Sequence, residues 1–381
     1  MPGTMDPFMN QLNQIAKSWV GGLAMYQPGK PIEDVARELG LGDPAGIIKL
    51  ASNENALGPS PHAIAAMRDA AGQMHIYPDG DNFQLRQALA AKLHVRADQV
   101  FVGHGSNEII QLLGHVFLDE TTNIVASEHA FIVYQLVAAL YRAPVIHVPM
   151  RAFRHDLPAM ARAITAQTRL VFIANPNNPT GTMVDGRELD AFMKDVPAHT
   201  AVVLDEAYIE LLPPERQPDT LRYVRENRNV FVLRTFSKTY GLAGLRIGYA
   251  LAPAEGVNLL HRVRQPFNIN AMAQAAALAA LADDGFVERT RAIMADGLRD
   301  VSAALDGMGL SYVPSVANFI LVKVGNGRKV FEALQRRKVI ARPVDVYQLP
   351  EYIRITIGTP EENRTMLAAL REVMAGQECG V

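Results

Sequence analysis

Hydrophobic positions recur along the middle of this chain in two alternating spacings. Short apolar runs at 100–103, 123–126, 145–148, 170–174, 201–204, 230–233 and 247–250 have almost no polar face, as strands buried on both sides require. Between several of them the spacing widens to the repeat of an amphipathic helix, clearest at 108–117 and 131–141. Such alternation predicts βαβ units and a mostly parallel seven-stranded sheet flanked by helices. Beyond Pro266 the pattern changes. An alanine-rich helical stretch covers about 270–310, then a strand follows at 318–324, a helix near 329–338 and a strand near 352–357. The chain reads as α/β, with a large domain at 51–265 and a smaller α+β domain built from 1–50 and 266–381.

Composition adds limits rather than detail. At 381 residues the chain exceeds what one core ordinarily serves, in keeping with two domains. Its 49 % hydrophobic and 20 % charged residues are those of a soluble globular protein. A net charge of −2 gives no bulk attraction to nucleic acid or to an anionic membrane. No apolar run approaches the roughly 18–20 residues of a spanning helix. The N-terminus lacks the basic-then-apolar design of an export signal. The single cysteine, Cys379, cannot form an internal disulfide, so a cytoplasmic location is expected. Residues 1–9 hold three methionines and no periodicity, and stay outside the fold argument. No metal is expected.

The chemistry gathers at the strand ends, where ligands bind in an open parallel sheet. Strand 230–233 runs through Arg234 into residues 235–246 (TFSKTYGLAGLR). Thr235 and Ser237 offer hydroxyls and N–H groups to a phosphate, Arg246 offers a bidentate guanidinium, and Lys238 can form an imine with an aldehyde. A solvated lysine beside a glycine-rich turn is the other reading. Asp205 follows strand 201–204, and a carboxylate there needs a partner. A pyridinium nitrogen is one such partner, with Tyr208 one turn on beside the ring's phenolic oxygen; a helix N-cap is the alternative. Residues 175–181 (NPNNPTG) hold asparagine amides able to donate to an anionic oxygen, in a loop stiffened by two X-Pro bonds that also suits a plain turn. Strand 100–103 leads into Ser106 and Asn107 at the start of a helix, where free N–H groups favour a phosphate. Neither the dinucleotide fingerprint nor the P-loop of nucleotide-binding enzymes is present.

The order of these motifs resembles that of the fold-type I pyridoxal-phosphate aminotransferases, and among them the subfamily acting on histidinol phosphate. The likeness runs from about Tyr26 to the C-terminus. Its most specific pieces are NPNNPTG, residues 205–208 (DEAY) and residues 235–246. Residues 26–31 (YQPGKP), Asn53-Glu54-Asn55, Tyr77-Pro78-Asp79, 105–108 (GSNE), Asn318-Phe319 and 354–359 (RITIGT) support it. The resemblance implies pyridoxal 5'-phosphate as cofactor, with Lys238 as Schiff-base lysine and general base. Asp205 would partner the pyridine nitrogen, Asn178 and Tyr208 the phenolic oxygen. Gly105, Ser106, Asn107, Thr235, Ser237 and Arg246 would form the phosphate cup. Tyr77 would reach the phosphate of a neighbouring subunit's cofactor, implying a homodimer with sites at the interface.

For the substrate, the resemblance implies that Arg354 binds an anionic group and Arg342 a phosphate, with Asn53 and Tyr26 as further contacts. Arg342 reads equally as a surface residue ahead of Pro343. The family's usual Pro-Thr-Tyr-like segment is replaced by Ser127-Glu128-His129-Ala130-Phe131. Phe131 is then expected to stack on the cofactor ring, with His129 the alternative. The implied reaction moves the amino group of L-histidinol phosphate to 2-oxoglutarate. Aromatic-amino-acid aminotransferases and threonine-phosphate decarboxylase-type lyases share the motifs.

Overall fold

In the computed structural model the described residues are 12, 15–25, 29, 31–40, 44 and 46–378. All seven apolar runs become strands of one sheet: β1 (Val100–Gly103), β2 (Asn123–Ser127), β3 (Val145–Val148), β4 (Thr168–Ala174), β5 (Ala201–Asp205), β6 (Val230–Thr235) and β7 (Gly248–Leu251). Their order is β1-β7-β6-β5-β4-β2-β3. The pairs from β3 across to β6 are parallel, and β7 alone runs antiparallel to both its neighbours. The β6–β7 connection explains this exception. It carries one short 3₁₀ turn, Ala243–Leu245, and no helix of the kind a parallel crossover normally uses.

The strands lack a polar face because both sides of the sheet are covered. Along β5, Val202 and Leu204 enter one apolar layer and Val203 the other, following the two-residue period of a strand. Helix α1 (Gly105–Phe117) begins three residues before the apolar pattern predicts, at the end of β1, so Ser106 and Asn107 lie in its first turn. Helix α2 (Val133–Leu140) occupies the second predicted stretch.

The alanine-rich stretch is two helices, α3 (Ala271–Leu281) and α4 (Asp284–Gly307). Small alanine side chains let α3 press close: Ala273, Ala276, Ala277 and Ala280 join Leu85 and Leu89 in a core of the large sheet. Helix α4 starts in that core at Val287 and ends in the small-domain core at Val301 and Leu305. Helix α4 thus runs from one apolar core to the other. Helical periodicity marks these helices without revealing which core receives them.

The small domain is built on an antiparallel sheet of β8 (Tyr312–Val313), β9 (Phe319–Lys323), β10 (Arg342–Pro343) and β11 (Tyr352–Thr356), in the order β10-β11-β9-β8. Ile48–Lys49 pairs with Val339–Ile340 and ties the chain ahead of residue 51 to this domain. Among the described residues no helix is long and apolar enough to cross a membrane.

Candidate active site

The carboxyl ends of β4, β5 and β6, the first turn of α1 and the edge of the small domain enclose a cavity of about 280 Å³. Asp205, the last residue of β5, is buried in its wall. Its Oδ2 accepts a 2.8 Å hydrogen bond from the Tyr134 hydroxyl on α2, and its Oδ1 is buried with no hydrogen-bond partner among the described residues. Burial pushes the carboxyl up to about 6 in spite of that bond. Asp205 is a strand end rather than a helix cap.

Lys238 lies three residues beyond β6 and lines the same cavity. Its Nζ donates to the Ser52 carbonyl at 2.9 Å. Burial first, and the Arg354 guanidinium second, bring its amine down to about 8. Tyr208 is buried beside it, with Lys238 Nζ 5.8 Å from the ring centre. The Tyr208 hydroxyl accepts from Asn53 Nδ2 at 2.9 Å, and burial pushes it up to about 12.

One end of the cavity is suited to an anion. Ser106 and Asn107 line it from the first turn of α1, whose unpaired N–H groups and dipole favour negative charge. Thr235, Ser237 and Arg246 line it from the β6–β7 connection. The register explains their meeting: Gly248 pairs with Gly103 on one side and Thr235 on the other, so antiparallel β7 places the two strand ends side by side. Gly105 stands behind Arg246 with φ +73°, and a Cβ there would lie 2.8 Å from the guanidinium. A side chain there would be strained by the left-handed backbone and would have to displace the guanidinium.

The other end belongs to the small domain. Arg354 on β11 is buried, donating from Nη1 to Asn178 Oδ1 at 2.6 Å and from Nη2 to the Ala51 carbonyl at 2.5 Å. Arg342 pairs with Arg354 across β10 and β11 and also lines the cavity. Asn53 is held by Thr356, whose Oγ1 lies 3.0 Å from its backbone N and 3.1 Å from its Oδ1. Phe131 faces the cavity, edge-on to Tyr134.

Two of the expected residues are elsewhere. His129 lies outside the cavity lining, its Nδ1 2.7 Å from the Tyr347 carbonyl. Tyr77 is 79 % exposed on the surface, stacked on Phe267 at 4.7 Å. Tyr26 lies outside the described residues. The sequence reading missed Tyr134, Tyr347, Ser52 and Glu54, of which the last three line the cavity. Tyr134 had a signal, since it sits one turn beyond Phe131 on the same predicted helix.

Residues 45–370 match the family described as "Aminotransferase class I and II". Histidinol-phosphate aminotransferase of Akkermansia muciniphila is 50 % identical over 95 % of this chain and 99 % of its own length. That of Moorella thermoacetica is 48 % identical over 92 % of this chain and 90 % of its own. The structure of histidinol-phosphate aminotransferase from Sinorhizobium meliloti in complex with pyridoxal-5'-phosphate superposes with a TM-score of 0.88 at 28 % identity, covering 95 % of this chain and 98 % of that one. An aspartate aminotransferase from Thermus thermophilus, at 22 % identity and a TM-score of 0.82 over 94 % of this chain and 99 % of its own, shares the fold. With the family match spanning both domains and the strand-end residues gathered in one cavity, this chain belongs to the class I and II aminotransferases.

Proposed function

We propose that the protein is a pyridoxal-phosphate transaminase that moves the amino group of L-histidinol phosphate to 2-oxoglutarate, giving imidazole acetol phosphate and L-glutamate. The observation that carries this reading is the buried, unpartnered Asp205 Oδ1 in the same cavity as a lysine whose amine is brought down to about 8. A pyridinium N–H is the donor this oxygen lacks. The rest of the wall fits the same group. Tyr208, accepting from Asn53, keeps its own O–H to donate; Asn178, its oxygen engaged by Arg354, keeps its N–H groups. Both suit a phenolic oxygen, and Ser106, Asn107, Thr235, Ser237 and Arg246 suit a phosphate. Phe131 supplies the aromatic face.

When bound, pyridoxal phosphate supplies the electron sink for the donor's α-carbon. Lys238 anchors the cofactor and, once displaced by the donor's amine, takes the α-proton on its neutral nitrogen. Asp205 stays ionised against the ring nitrogen and keeps that proton in place. Arg354 and Arg342, from adjacent strands, hold the anionic groups of donor and acceptor, with Asn53 as a further contact and Tyr26, by the family resemblance, helping to close the substrate pocket from the partner subunit. A homodimer, with the partner subunit's Tyr77 reaching the phosphate, completes the reading, and the lone Cys379 supports a cytoplasmic setting.

A donor panel with 2-oxoglutarate, following glutamate, tests the substrate. Histidinol phosphate is expected to exceed phenylalanine and tyrosine in kcat/KM by at least ~100-fold, the range in which a buried charged contact discriminates. Equal rates on the aromatic amino acids, or release of carbon dioxide from a phosphorylated amino acid, would sink it.

A further inference from the structure

A second, much smaller cavity shares Lys238 and Glu54 with the first and has a volume of about 10 Å³. That is room for one water and for no part of a substrate. Its polar wall is Lys238, Glu54, Asn55, Thr290 and Asn318, and aliphatic side chains close the remainder.

Two of these groups are left with hydrogen-bonding capacity. Asn318 is 5 % exposed, and its Nδ2 donates to the carbonyls of Asn53 and Glu54 at 3.1 and 3.2 Å. Held by its nitrogen, the amide keeps Oδ1 buried with no partner among the described residues. Thr290, from α4, is 5 % exposed and accepts from Asn55 Nδ2 at 3.1 Å, which leaves its O–H to donate. One acceptor, one hydroxyl donor and the Lys238 amine make the two to four polar partners that a buried water takes.

We propose that this chamber binds a single water molecule, held by Asn318, Thr290 and Lys238, and that this is the water amino transfer consumes and returns. The proposal rests on the amino-transfer reading above. In the donor half of that reaction the α-hydrogen leaves as a proton and the C–H electron pair passes to the cofactor, bringing the carbon to the level of a C=N bond. Water then replaces the nitrogen. A C=O bond forms, the C–N bond breaks, and both hydrogens of the water finish on the nitrogen retained in the site. The acceptor half runs the exchange backwards and releases one water. A cavity closed around its substrate needs that molecule inside it. Lys238 lines both spaces, so its neutral amine takes a proton from the water as oxygen attacks and passes it to the departing nitrogen. Asn318 and Thr290 act through the water and are positioning residues.

A crystal structure of the protein with pyridoxal phosphate bound, at a resolution that shows ordered waters, is expected to hold one water within hydrogen-bond distance of Asn318 Oδ1 and Thr290 Oγ1. The second readout uses donor alone in deuterium oxide. Exchange of the donor's α-hydrogen precedes attack by water, and keto product follows it. In Thr290→Val the ratio of exchange to keto product is expected to rise about tenfold or more, the scale of one proton-transfer assistance, and Thr290→Ser is expected to restore it. A dry chamber in the crystal, or an unchanged ratio in Thr290→Val, overturns the proposal. Lack of α-hydrogen exchange by the unaltered protein with every donor would instead overturn the amino-transfer reading, which tells the two failures apart.

Discussion

Lys238, Asp205 and Arg342 each have a proposed role that their surroundings make testable. The Lys238 amine, brought down to about 8 chiefly by burial, is half neutral near pH 8, where an unperturbed lysine would need about pH 10.4. Only the neutral amine attacks an aldehyde, so capture of pyridoxal phosphate by the cofactor-free protein should accelerate with pH and reach half its maximum near pH 8. Stopped-flow absorbance checks this, and a midpoint above pH 9.5 would remove the burial argument. Tyr134 steadies Asp205 through its hydroxyl. Tyr134→Phe removes a hydrogen bond to a charged group, about 1.5–3 kcal/mol, so cofactor affinity should fall at least about tenfold by equilibrium titration. Arg342→Ala should lower kcat/KM for phosphate-bearing donors about 10- to 100-fold and leave phenylalanine within about threefold. Equal losses on both would deny Arg342 a part in specificity. Asp205, Asn178, Lys238 and Arg246 were legible because their neighbours in sequence are strand ends with chemistry of their own. Tyr134 was legible only by its place one turn beyond Phe131; its meeting with Asp205 was not, because a tyrosine inside an amphipathic helix reads as core until the carboxylate facing it is known.

At the level of elements, the strands were legible because a strand covered on both faces leaves a bare apolar run. The reversed direction of β7 was not, since a run of four apolar residues reads alike both ways; the evidence lay in the connection before it, which lacks a helix. Helix α1 shows the same limit at its start. Gly105 and Ser106 carry no apolar signal, so the periodic pattern begins only after the helix's first residues. Helix α4 carries a tight packing constraint. At Gly297 an added Cβ would sit 2.4 Å from Ile357 Cγ2, just beyond β11. Gly297→Ala should therefore destabilise the protein by about 1–3 kcal/mol despite the better helix propensity of alanine. Denaturant unfolding measures this, and a stabilised variant would show that the small-domain contact yields freely.

For the whole molecule, the proposed homodimer would have each site take one tyrosine from its partner, and Tyr77 lies exposed, stacked on Phe267. Hybrid dimers test this without any structure of the assembly. Lys238→Ala and Tyr77→Ala are each expected to be impaired alone. Mixed and allowed to exchange subunits, they generate one site with both an intact lysine and an intact tyrosine, so activity should recover toward about a quarter of normal, half the chains being hybrid and half their sites sound. No recovery after demonstrated exchange would place Tyr77 outside the partner's site. Sequence pattern alone could not decide this, because a surface tyrosine gives no sign of what covers it.

The hydrogen bond from Arg354 to Asn178 ties β11 to the loop after β4 through the two residues proposed to meet substrate and cofactor. A donor anion that drew the guanidinium toward itself would loosen its hold on the Asn178 amide, which in the proposed function holds the cofactor's phenolic oxygen. Recognition at one end of the cavity would then be written into the visible spectrum at the other. The protein would be its own indicator dye, the hue of each complex ranking how firmly a candidate substrate is gripped before any turnover occurs.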